Sequence, residues 1–108
     1  MASKPTPLRG TLSPLLAAQI TYERQRAHRK HAPNGGSSEE RPFDDPHWLS
    51  VLVEEVGEVA RVLCDHRLNV LNDDRMAMDL RDELLQVAAM ATAWIDAIDE
   101  MTDGRPAS

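Results

Sequence analysis

Two apolar stretches at helical spacing, each interrupted by carboxylates, constrain the fold of this chain most. Residues 48–63 read WLSVLVEEVGEVARVL and residues 80–98 read LRDELLQVAAMATAWIDAI. At about 100° per residue, Leu49, Leu52, Val53, Val56, Val59, Ala60 and Leu63 share one broad face of the first stretch. Leu80, Leu84, Val87, Ala88, Ala91, Trp94, Ile95 and Ile98 do the same in the second. An apolar stripe on a helix must be buried against another element. No segment alternates apolar and polar with a period of two, and none repeats. The expectation is an all-α fold.

The rest of the chain supplies one further helix and its boundaries. Ser13-Pro14 reads as an N-cap followed by Pro at the first helical position, opening a helix that runs to about His31. Asp45-Pro46 repeats that signature before the second helix, which ends near His66. Asn72, Asp73 and Asp74 offer caps for a third helix, from about Asp74 to Ile98. Between the first two, residues 32–45 (APNGGSSEERPFDD) form a long loop marked by Asn34-Gly35-Gly36 and Arg41-Pro42. It reads as a lid or as a simple connection. Residues 1–12 are rich in Pro, Ser and Thr and read as a tail, as do residues 101–108, so the helical domain spans 13–100.

The acids divide into two sets. Glu54, Glu55 and Glu58 lie on the second helix, and Asp79, Asp82 and Glu83 lie at the start of the third. Glu54 and Glu58 fall opposite the apolar face, Glu55 falls between, and Val51 and Val62 project among them. Glu83 sits at the edge of the apolar face of its own helix, with Gln86 one turn on and Asp82 further out. Like charges three and four residues apart repel, so the local energetics of the helix oppose this pattern. One reading is a solvated acidic stripe. The other is a site for a hard divalent cation, which takes oxygen ligands and would relieve the repulsion.

Composition excludes several other classes. The net charge of −6 does not suit coating of a nucleic-acid polymer, which needs basic surface. A single cysteine, Cys64, permits no intrachain disulfide and no Cys-rich zinc site, and it reads as a small hydrophobe on the core side of its helix. His28, His31, His47 and His66 are not spaced as a ligand set. No apolar run has the length of a membrane span and no signal-like segment opens the chain, so a cytoplasmic protein is expected. In 108 residues there is room for one modest core, which makes a homo-oligomer the expectation. Basic residues gather at the end of the first helix, where Arg26 and Lys30 are candidate phosphate contacts or simple partners of the helix dipole. Trp48 reads as a base-stacking residue or as core.

Glu55-Val-Gly-Glu58, preceded by Glu54, is followed after residues 59–82 by Glu83-Leu-Leu-Gln86. This arrangement resembles the Glu-x-x-Glu and Glu-x-x-Asp pattern of the MazG-like nucleoside triphosphate pyrophosphohydrolases. That all-α superfamily also includes dimeric dUTPases and dCTP pyrophosphatases. The likeness covers residues 13–100, with Gln86 standing where the family pattern has Asp. It implies three main helices per chain meeting in an oligomeric four-helix-bundle-type core, a dimer or a tetramer. It also implies Mg²⁺, with Mn²⁺ as a substitute, held by Glu55, Glu58, Glu83 and the Gln86 carbonyl. Glu54 would be the base that activates water. The implied reaction converts a nucleoside triphosphate to the monophosphate and pyrophosphate.

Overall fold

The computed structural model describes residues 10–31, 44–69 and 72–103; the side chains of Lys30, His31 and Asp103 are not among those described. Most of the expected N-terminal tail, most of the 32–45 loop and residues 104–108 therefore lie outside the described residues. What remains is three helices: α1 (Pro14–His31), α2 (Asp45–Arg67) and α3 (Asp73–Asp103). Among the described residues there is no strand, so the all-α expectation holds.

The helix boundaries follow from side chains that satisfy orphaned backbone groups. Ser13 Oγ accepts from the Leu16 N–H at 3.1 Å and caps α1. For α2 the cap is Asp44 rather than Asp45: its carboxylate accepts from the His47 N–H at 2.9 Å. Asp45 becomes the first helical residue, and Pro46 is accommodated in a turn whose N–H groups have no intrahelical acceptor. Its C-terminus closes when the Leu68 N–H donates to the Cys64 carbonyl and the Asn69 N–H to that of His66. Asn69 takes a φ of 62°, a conformation that asparagine tolerates better than most side chains. Asn72 Oδ1 then accepts from the Arg75 N–H at 2.8 Å and opens α3. That helix runs through Met101 and Thr102 to Asp103, past the Ile98 end expected from its apolar pattern.

α3 is the shared element, with α2 packed on one side and α1 on another; α1 and α2 do not pack together. α2 and α3 are antiparallel. His66 Nε2 meets Asp73 Oδ1 at 2.7 Å near the connection, and Trp94 Nε1 donates to Asp45 Oδ1 at 2.9 Å at the far end. α1 runs in the same direction as α3 and docks through polar pairs: Arg81 to Gln19, Gln86 to Glu23 and Arg24 to Asp96. Ile20, Trp48, Val62, Leu85 and Ala89 form the buried core.

The packed side of α2 differs from the broad apolar face expected. Trp48 and Val62 are buried and Val51, Leu52, Glu55, Glu58 and Val59 are half-buried, so α3 covers the stripe that carries two of the acids. Leu49, Val53, Val56 and Leu63 are exposed. The reason is geometric: an apolar face wider than one partner helix can cover leaves part of itself open. On α3 the same holds for Leu84, Ile95 and Ile98, which are exposed while Leu85 and Ala89 are buried.

Candidate functional site

Antiparallel packing sets the second half of α2 beside the first half of α3. This sets Asp65 of α2 beside Asp79, Asp82 and Glu83 of α3 in one open cleft, lined also by Arg61 and Val62; Glu54, Glu55 and Glu58 are not among the lining residues. Glu58 sits one turn before Val62 and its Oε2 is 2.5 Å from an Arg61 guanidinium nitrogen. Asp79 accepts from Arg75 Nε at 2.9 Å. Glu83 is the acid most altered by this setting. Burial pushes its carboxyl above the ordinary value of 4.5, the charge of Glu58 pushes it further, and Asp82 and Asp79 add to this, while Arg61 opposes the rise. Glu58 and Glu83, read from separate stretches of sequence, are therefore electrostatic neighbours.

The other expected site residues are distributed as follows. Glu55 is half-buried on the packed side of α2, whereas Glu54 is exposed; neither lines the cleft. Gln86 is turned toward α1, where its Nε2 donates to Glu23 Oε2 at 2.5 Å. Arg26 lies on the same carboxylate, with a guanidinium nitrogen 3.2 Å from Oε2. Lys30 is on the last turn of α1, its side chain outside the described residues. Trp48 is only 6% exposed and occupies the core position, so its ring presents no free face for a base in the single chain. Cys64 is exposed rather than on the core side of α2. It follows Leu63 on the open side of the helix, away from the buried Val62.

Three residues here were not singled out from the sequence: Arg61, Asp65 and Glu23. Arg61 and Asp65 continue the helical spacing of Glu58 by three and seven residues, a signal available in the sequence once α3 is known to cover that stripe. Glu23 gave no such signal, because its role depends on where α1 docks.

The donor set is made of hard oxygens, the kind a hard divalent cation takes, while the rise of the Glu83 carboxyl comes first from burial and then from neighbouring negative charge. The spacing is not closed: among the described residues no three His, Cys, Asp or Glu side chains converge as a group able to hold a metal ion.

No protein-family model, curated protein or solved structure matches this chain.

Proposed function

We propose that the chain is the helical unit of a Mg²⁺-dependent nucleoside triphosphate pyrophosphohydrolase, cutting between the α and β phosphates to give the monophosphate and pyrophosphate in nucleotide-pool housekeeping. The observation that carries the reading is the open cleft between α2 and α3 that gathers Asp65, Asp79, Asp82 and Glu83, with Glu58 near enough for its charge to act on Glu83. A bound divalent cation, Mg²⁺ or Mn²⁺, would supply charge neutralisation at the phosphates and an oriented water. Glu55, Glu58 and Glu83 would hold it, with the Gln86 carbonyl as a neutral fourth donor. Glu54, exposed one residue before Glu55, would serve as the base for the attacking water. Arg26 and Lys30, at the end of α1, meet the phosphates. Trp48 supports the start of α2 from the core rather than stacking on a base.

The same reading makes the protein a cytoplasmic homo-oligomer, a dimer or a tetramer. Its support is the open apolar stripe: Leu49, Val53, Val56 and Leu63 on α2, and Leu84, Ile95 and Ile98 on α3. Pairing two such hairpins would complete a four-helix core. No helix among the described residues is long and apolar enough to cross a membrane.

A second reading has its own observation. Gln86 is held by Glu23 and Glu58 by Arg61, as they would be in a nucleotide-sensing or assembly module whose catalytic site has degraded. A panel of canonical and damaged nucleoside triphosphates, assayed for pyrophosphate with and without Mg²⁺, separates the two. The hydrolase releases pyrophosphate only with Mg²⁺ or Mn²⁺. Nucleotide binding without turnover across the whole panel would establish the sensor instead.

A further inference from the structure

We infer that α1 is an arm held on α3 by charge and polar pairs rather than by a core, and that it leaves α3 as one unit while α2 and α3 stay paired. The inference is independent of any chemistry at the cleft.

α1 packs on α3 alone and, among the described residues, not on α2, the helix that follows it in the chain. Of its described side chains only Ile20 is buried. Leu15 and Tyr22 face solvent, at 67% and 53% exposure. The positions that meet α3 are mostly polar: Gln19 accepts from Arg81, Glu23 accepts from Gln86 Nε2, and Arg24 Nη2 lies 2.6 Å from Asp96 Oδ2. Such groups regain hydrogen bonds to water when a seam opens, so each resists opening only weakly. The seam between α2 and α3 differs, because α2 commits the buried side chains of Trp48 and Val62 to it. A segment with few buried apolar side chains lies at the low end of a protein's local stability.

Charge selects where the arm lies. From Arg24 to His31, α1 carries Arg24, Arg26, Arg29 and Lys30 and no acid. The second half of α3 carries Asp96, Asp99, Glu100 and Asp103, with no cation between Arg81 and its end. Acids at a helix C-terminus oppose its dipole, so this end of α3 gains from a basic neighbour. Because α1 and α3 run the same way, the basic end of α1 lies alongside it, and the Arg24–Asp96 pair marks the contact. Those two side chains are 35% and 44% exposed, so dissolved salt reaches them. Opening frees Gln86 from Glu23 and bares the cationic end of α1.

Amide hydrogen exchange on the full chain, read residue by residue by NMR, tests this. Amides in the middle of α1 should share one opening free energy and be at least about tenfold less protected than those in the middle of α2 and α3. Raising NaCl from about 0.1 M to about 1 M shortens the screening length from about 10 Å to about 3 Å. It should lower α1 protection about two- to fivefold, the range of an exposed ion pair, without lowering that of α2. Arg24→Glu should lower α1 protection at low salt, and Asp96→Lys in the same chain should restore it. Arg67→Glu, on the last turn of α2, should leave α1 protection unchanged. Equal protection of all three helices overturns the arm, as does a loss that spreads equally to α2 in Arg24→Glu. Separate opening of α1 that neither salt nor Arg24→Glu alters overturns the role of charge and leaves Ile20 as the anchor.

Discussion

Among single residues, Glu58, Glu83 and Gln86 carry the most consequence. Under the proposed function, Glu58→Gln removes a charged ligand and should abolish pyrophosphate release. The helical circular dichroism should be intact, because the substitution also relieves like-charge repulsion on α2. Full activity in that variant would rule out the site. Glu83 gives a pH signature in the metal-free protein. Its folded carboxyl is raised, so the stability it contributes is complete below the unfolded value of about 4.5 and is lost as pH rises through the folded value. With EDTA present, the melting temperature of the parent relative to Glu83→Gln should rise as pH falls from neutral toward that range. A difference that does not vary with pH would contradict the raised carboxyl. Gln86 faces Glu23, so Gln86→Asp sets two carboxylates against each other and loses a hydrogen bond. The cost in metal-free protein should be about 1–3 kcal/mol, and Glu23→Gln in the same chain should recover most of it, as a double-mutant cycle by thermal melting would show. With Mg²⁺, the proposed ligand role predicts a lower activity midpoint for Gln86→Asp than for the parent.

At the level of elements, the termini were legible in the sequence and the packed faces only partly so. Ser13, the residues around Pro46 and Asn72 mark helix starts because capping depends on a side chain reaching an N–H two or three residues on, a purely local matter. The choice of Asp44 over its neighbour Asp45 was not legible, since both carry the same group. The structure assigns Asp44 to the backbone and Asp45 to the indole of Trp94. Asp44→Ala should therefore cost about 1 kcal/mol of stability, measurable by chemical denaturation. Gly57 lies in the middle of α2 on an exposed position, where an added Cβ meets nothing within 4 Å. In an isolated chain Gly57→Ala should stabilise by about 0.5–1 kcal/mol through helix propensity. A loss of stability in that variant would show that another helix approaches this position closely.

For the whole molecule, the open apolar stripe has the largest consequence. Under the proposed assembly, Val53→Lys places a charge in that stripe, at a position that is 58% exposed in the single chain. Light scattering should then show a monomer at micromolar concentration where the parent is a dimer or tetramer, with helicity retained at low temperature. A parent that is itself monomeric would sink the assembly reading. By itself the sequence determined the helices, most of their ends and the presence of two acidic sets, because periodicity and capping act over only a few residues. Only the tertiary structure decided which stripe of α2 meets α3, and hence that Glu58 and Glu83 are neighbours while Leu49, Val53 and Val56 remain open. Only the docking of α1 decided that Gln86 belongs to Glu23. Both outcomes depend on how helices pair across long stretches of chain: when an apolar face is broader than one neighbour can cover, the pattern allows several contacts and packing selects one.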